Sequence, residues 1–141
     1  MHFIDVNCMI GEWCYSNLRF KTAEELCCEM QRLNITKSLV FHSMSWLYDL
    51  KSGNEAVVDE TKDFKGTLIP VISLSPLIDH EFGGRDNIID FIKKNGVGAV
   101  RLFPNDHNYT LHLWNCDRLF SLLDGLRIPV LIECRPIEGS I

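Results

Sequence analysis

The sequence lacks several features that would indicate a function directly. It has no apolar run near the roughly 20 residues of a membrane-spanning helix, so we expect no membrane association. It has no C-x-x-C pair, which argues against a zinc knuckle and a thioredoxin-like redox site. It has no G-x-S-x-G elbow. The Gly83-Gly84 pair lacks the strand–helix context and the lysine of a phosphate-binding loop.

Positive charge is also scarce, with 14 Lys and Arg against 19 Asp and Glu and a formal net charge of -5. No segment concentrates Lys and Arg strongly enough to follow a phosphate backbone, so we predict no nucleic-acid partner. The N-terminus enters a strand-like segment without a basic region followed by an apolar run, which disfavours secretion. The six cysteines are scattered, and we expect them to be reduced in a cytoplasmic protein.

What the chain does contain is the pattern of an α/β domain. Of its residues, 46% are hydrophobic and 23% charged, a globular composition. Short apolar runs recur about every 30 residues, the length of a βα unit, and amphipathic segments lie between them. We therefore predict a single α/β domain over residues 1–141 with right-handed crossovers. The five predicted strands span residues 3–9, 38–42, 67–74, 98–103 and 128–134.

Capping residues indicate where two helices begin. Thr22 and Glu25 have the spacing of a capping box. Asn54 is predicted to cap a second helix. The polar and aromatic segments 43–53 and 75–85 follow strand ends, where α/β folds build their sites.

The first predicted strand carries a family resemblance. Residues 3–11 read Phe-Ile-Asp-Val-Asn-Cys-Met-Ile-Gly and resemble the amidohydrolase superfamily pattern apolar-Asp-x-His-x-His-x-Gly. Segments 53–55, 65–76, 96–104 and 127–132 look like the same family. The resemblance implies a TIM-barrel-like (β/α)8 fold with its site at the carboxyl ends of the strands. We therefore expect about five βα units of an eight-fold barrel, a partial domain.

The length of the chain leaves two interpretations of that partial barrel. A complete barrel has typically ~250 residues, whereas this sequence has 141. We favour a piece of a longer polypeptide. The alternative is an open half-barrel that covers its two sheet edges by association, and on that basis we predict a homo-oligomer.

The two histidines of the family pattern, which bind its catalytic metal, are replaced by Asn7 and Met9. An amide and a thioether are poor substitutes for imidazole on zinc, so we assign no metal ligand and no certain cofactor. Zinc or another divalent metal is expected only if later strands complete a site. Asn7 and Met9 are two residues apart and so share one strand face. They either line a substrate pocket or fill a layer of the barrel.

Arg101 and Glu133 are polar residues in otherwise apolar strands. By the resemblance, Arg101 lies near the family's carboxylated lysine and Glu133 where the family places a metal-binding histidine. A guanidinium cannot ligate a cation but can clamp a carboxylate or phosphate. Glu133 is either a catalytic acid–base group or the partner of Arg101 in an internal ion pair, the interpretation that we prefer.

His42 and Trp13 complete the candidate site residues. His42 closes the second predicted strand and is either an acid–base group or a hydrogen-bonded structural residue. His107 follows the fourth strand in a loop without recognised metal-ligand spacing. Trp13, with Tyr15 and Trp46, suits a pocket for an apolar or ring-bearing small molecule, and equally suits packing or a subunit interface.

Two functions of different class follow from these residues. The first is a hydrolase or related decarboxylase of unknown substrate, with His42 or Glu133 as catalytic residue and Arg101 as substrate clamp. The second is a non-catalytic relative, a pseudoenzyme that keeps the scaffold for ligand binding or assembly. Loss of both first-strand histidines favours the second, since a fold does not fix a function.

Overall fold

The computed structural model describes residues 3–134, which form one parallel sheet with helices between its strands. The strand order is β1-β2-β3-β4-β5, and every neighbouring pair is parallel. The sheet curls into a half-barrel, which confirms the predicted TIM-barrel-like α/β fold. The strands are β1 Phe3–Ile10, β2 Ile35–His42, β3 Leu68–Ser73, β4 Ala99–Leu102 and β5 Val130–Ile132.

The first helix begins as predicted, but the next one does not. The N–H of Glu25 donates to Thr22 Oγ1 at 3.3 Å, and the N–H of Thr22 donates to Glu25 Oε2 at 3.3 Å. The prediction that Asn54 caps the next long helix is wrong, because the Asp49 carboxylate accepts the Ser52 N–H at 2.7 Å and so starts that helix earlier. The helices are α1 Ala23–Arg32, α2 Met44–Leu47, α3 Leu50–Thr61, α4 Ile78–Phe82, α5 Arg85–Asn95 and α6 Leu113–Leu126, with a 3-10 turn at Lys62–Phe64.

Asn54 instead lies buried inside α3 and ties that helix to the end of β3. Its Nδ2 donates to the Ser73 carbonyl at 2.8 Å, and its Oδ1 accepts the Ser73 N–H at 2.7 Å. The polar and aromatic segments 43–53 and 75–85, which follow strand ends, contain α2, the start of α3, and α4. Helices of four or five residues, such as α2 and α4, are too short to show an apolar periodicity in the sequence.

Alternate strand residues form the outer, helix-covered face of the sheet. Two clusters of buried side chains join the strands to the helices there, one under α1 and α3 and the other under α5 and α6. Both are almost entirely aliphatic, as expected for parallel strands covered by helices. Their fully buried members include Ile10, Val40, Ile72, Val100 and Leu119.

The inner face has a different composition, with two buried phenylalanines at its centre. Phe41, Val71, Ala99 and Phe103 form a third cluster. Four partly buried side chains pack against it: Met9, Leu39, Trp46 and Leu131. This face is the lumen side of the half-barrel, because its residues alternate along the strands with those under the helices.

Strand β1 contains a bulge at Asn7. Asp5 pairs with Ser38 and Cys8 pairs with Val40, so two residues of β1 oppose one of β2. The second of those two is Asn7, whose N–H donates to Asp5 Oδ1 at 2.9 Å. A bulge of this type redirects side chains and is common beside sites.

Within residues 3–134, no helix combines the length and apolar character needed to cross a membrane.

Candidate functional site

A buried guanidinium lies at the centre of the inner face. Arg101 alternates in β4 with the outer-face residues Val100 and Leu102, and only 9% of its side chain is exposed. Its Nη1 donates to Asn7 Oδ1 at 2.6 Å, across the half-barrel on β1. Its Nη2 donates to Glu133 Oε2 at 3.2 Å, directly after β5. The predicted Arg101–Glu133 ion pair is therefore confirmed, and Asn7 joins it.

Two aromatic rings hold the same guanidinium in place. Its central carbon lies 4.3 Å from the ring centroid of Phe41 and 5.4 Å from that of Phe103. Such contacts attract a cation to the ring face and are stronger where water is excluded. Sequence reasoning missed both rings, although Phe103 follows Arg101 at the two-residue spacing of one strand face.

Part of the donor capacity of Arg101 is unused. A guanidinium offers five N–H donors, and among residues 3–134 its Nε is buried without a hydrogen-bond partner. An open cavity of about 390 Å³ lies beside the guanidinium, lined by Arg101, Asn7, Glu133 and four neighbouring residues in β1, in β5 and directly after β5. Its volume is in the range of small-molecule sites, roughly 300–1,000 Å³.

The predicted pocket residues Met9 and Trp13 contact this region from the aromatic side. Met9 packs against the Phe41 cluster on the inner face. The Trp13 ring lies 4.7 Å from that of Trp46, which in turn stacks on Phe103 at 5.0 Å. A continuous series of rings thus leads from Trp13 toward the rings that flank Arg101.

His42 lies on the opposite face of the sheet from Arg101. Its Nδ1 accepts the N–H of Met44 at 3.1 Å, and its Nε2 lies 3.3 Å from Glu60 Oε1 on the outer helix α3. A side chain at Gly11, where φ is +91°, would place its Cβ 2.6 Å from the imidazole. Both ring nitrogens are thus engaged in local structure, and the structure does not bring His42 together with Arg101 and Glu133.

A second polar group lies beyond the ends of β3 and β4. Ser75 Oγ donates to Glu81 Oε1 at 2.6 Å. Burial raises the pKa of the Glu81 carboxyl, while the hydrogen bond from Ser75 opposes that rise. His107 Nε2 lies 3.1 Å from the carbonyl oxygen of Trp46 and its ring packs against Phe103. His107 thus connects the loop after β4 to Trp46 and Phe103.

The residues at the first-strand positions do not fit the metal site of the resembled family. The Asn7 amide oxygen accepts a hydrogen bond from a guanidinium, and Met9 lies in an apolar cluster. A fixed positive charge beside Asn7 would repel a bound cation. Within residues 3–134, no three His, Cys, Asp or Glu side chains are grouped closely enough to hold a metal ion.

Comparison with known proteins identifies a solved structure of similar fold. No protein-family model and no curated protein matches the sequence. The structure matches that of a "putative amidohydrolase" from Staphylococcus aureus with a TM-score of 0.75 at 9% sequence identity. The match covers 99% of this chain and 49% of the other, so the chain spans about half the length of that protein. The described residues therefore have a partial TIM-barrel-like α/β fold, similar to about half of that structure.

Proposed function

We propose that this protein is an amidohydrolase-like hydrolase, or a related decarboxylase, that acts on a small molecule without a metal ion on β1. The observation that carries the proposal is the buried Arg101 guanidinium, held by Asn7, Glu133 and two aromatic rings beside a cavity. Active sites of barrels of this fold lie at the carboxyl ends of the strands. The fold likeness supports the hydrolase class, and the cavity supports a small-molecule ligand.

Each residue of the network has a role in this proposal. Arg101 orients an anionic or polar group of the substrate, because its planar fork suits two-point hydrogen bonding. Glu133 gives or takes a proton at the reacting atom, since a positioned carboxyl is a common acid–base group. We do not assign that role to His42, because its imidazole faces α3. Asn7 fixes the guanidinium, and Met9 and Trp13 form apolar walls.

A non-catalytic ligand-binding protein is the second candidate. The observation that favours it is the hydrogen bond that Arg101 donates to Asn7. By the resemblance, the neutral amide of Asn7 stands where the family has a metal-binding histidine. Under this alternative the cavity binds a small molecule but releases it unchanged. Homo-oligomer formation and a cytoplasmic location stay predictions under both candidates.

The test is a turnover screen with metal analysis of the same sample. Purified protein, before and after chelator treatment, is assayed against small amides, esters and carboxylic acids for C–N, C–O and C–C cleavage. We expect activity that survives the chelator and falls about 10²- to 10⁴-fold in Glu133→Gln, the usual contribution of acid–base catalysis. Asp124→Asn, an equal charge change at an exposed residue of α6, is the matched control.

Two results would change the assignment. Activity that requires near-stoichiometric zinc, manganese or iron would overturn the metal-free site on β1. Saturable binding of a screened compound, with no turnover by any variant, would replace the hydrolase with the ligand-binding candidate.

A further inference from the structure

We propose that Glu133 occupies, in the ligand-free protein, the place on Arg101 that the carboxylate of a small-molecule ligand takes. Binding of that ligand displaces the Glu133 side chain from the guanidinium. The inference rests on the proposed function, because it concerns the same site. It adds two points to that function. The ligand is a small carboxylate, and Glu133 competes with it for Arg101.

The contact between the two residues is incomplete. A single pair of atoms joins them, Nη2 to Oε2 at 3.2 Å. Charge-assisted N–H···O⁻ bonds are typically about 2.7–2.9 Å long, and arginine pairs with carboxylates preferentially through two parallel bonds. Within the described residues Nε has no partner although it is buried. A better-placed carboxylate would therefore satisfy a donor that Glu133 leaves unpaired.

Arg101 is the fixed member of the pair and Glu133 the replaceable one. The guanidinium is pinned by Asn7 and by the rings of Phe41 and Phe103. The Glu133 side chain is 26% exposed against 9% for Arg101. Only the side chain of Glu133 needs to move, since its backbone N–H stays bonded to the Leu102 carbonyl at 2.9 Å.

The surroundings favour a small carboxylate as the replacing group. The cavity of about 390 Å³ borders both members of the pair. A carboxylate has the charge and the planar shape of the Glu133 head group, so it can replace that group without leaving the buried guanidinium uncompensated. The displaced Glu133 then becomes available to the ligand as the acid–base group of the proposed function.

The experiment compares acetate with acetamide, which has the same shape and no charge. Binding is followed through the Nε–H resonance of Arg101 in NMR titrations at constant ionic strength. We expect acetate, but not acetamide, to shift this signal saturably. We expect acetate to bind about tenfold more tightly to Glu133→Gln, since a charged hydrogen-bond competitor is removed. Asp124→Asn, with the same change of net charge at an exposed site, should bind acetate as the wild type does.

A second variant tests the inference in the opposite direction. Asn7→Asp places an additional carboxylate on Nη1 at almost unchanged size, and we expect acetate to bind about tenfold more weakly. Circular dichroism establishes that each variant is folded. If Glu133→Gln does not fold, unchanged acetate affinity in Asn7→Asp overturns the inference by itself.

The outcomes separate this inference from the proposed function. Unchanged or weaker acetate binding in folded Glu133→Gln overturns the displacement, even if the turnover screen finds a substrate. Absence of any acetate effect on the Arg101 signal overturns it as well. Tighter binding in Glu133→Gln together with no turnover supports the displacement and contradicts only the hydrolase assignment.

Discussion

The outer and inner faces of this sheet are built from alternating residues of the same strands, yet they contain different chemistry. The outer face packs aliphatic side chains against α1, α3, α5 and α6. The inner face gathers aromatic rings and a buried guanidinium with two polar partners. Burial alone does not identify a candidate site, because both faces contain fully buried side chains, such as Ile72 on the outer face and Phe103 on the inner one. What marks the inner face is a buried charge beside a cavity.

His42 and Arg101 illustrate the same division with two polar residues that are both buried in strands. His42 follows Phe41 by one position and so points to the outer face, where Glu60 approaches it. Arg101 pairs in register with Ser73 and Leu131 and points inward. Because the side-chain period of a strand is two, one position decides whether a residue supports a helix or lines the lumen.

The largest expected effect is a loss of stability at a fully buried residue that packs on the outer face. Leu119 is a fully buried residue of α6, and Leu119→Ala should lower the free energy of unfolding by about 2–5 kcal/mol, the range for buried leucines. Leu131→Ala on the inner face should cost less, since Leu131 is only partly buried. Urea denaturation measures both. Equal losses would contradict the expectation that the fully buried Leu119 contributes more to stability than the partly buried Leu131.

The next effect concerns the connection between α3 and the end of β3. Asn54→Ala removes both hydrogen bonds to the Ser73 backbone. We expect a loss of about 2–3 kcal/mol in the free energy of unfolding, because two buried backbone groups lose their partners. Asn87→Ala, at an exposed asparagine bonded to the Phe82 carbonyl, is the control and should have a smaller effect. A loss no greater than that of the control would show that Asn54 does not hold β3 in place.

A smaller effect is expected at His42, and only on stability. His42→Gln should lower the free energy of unfolding by about 1–2 kcal/mol, since a part-buried hydrogen bond to the Met44 N–H is lost or weakened. Acetate binding and any turnover should not change. A folded His42→Gln protein with a hundredfold loss of turnover would instead assign the acid–base role to this outer residue. Glu60→Gln, which alters the partner of the imidazole, distinguishes the two roles further.

The effect that is smallest at neutral pH is a pH dependence of stability at the outer face of β1. Burial raises the pKa of the Cys8 thiol from 9.0 to about 11. The folded state therefore keeps its proton where the unfolded state loses it, so this stabilisation is complete below pH 9 and is lost as the pH rises toward 11. We expect the unfolding free energy of wild type to fall over that interval more steeply than that of Cys8→Ala. Parallel curves of unfolding free energy against pH for wild type and Cys8→Ala would contradict this prediction. Cys28→Ala, at an exposed cysteine, is the control.

The sequence was sufficient for the repeat of strands and helices. Parallel strands buried on both faces require continuous apolar runs, and all five predicted runs contain strands. The capping box at Thr22 was also readable, because it depends on residues three positions apart. The role of Asn54 could not be read from the sequence, since its partner Ser73 is 19 residues away. A local pattern can report only contacts that are local in the chain.

The candidate site divides in the same way. The sequence by itself determined that a charged residue, Arg101, lies in an apolar strand and needs a partner, because an unpaired buried charge is too costly. It also indicated Glu133 as that partner. Only the tertiary structure decided that Asn7 joins them from 94 positions away, that two phenylalanine rings flank the guanidinium, and that His42 faces a helix. The physical reason is the curl of the sheet, which brings β1 opposite β4 and is set by the packing of the whole half-barrel.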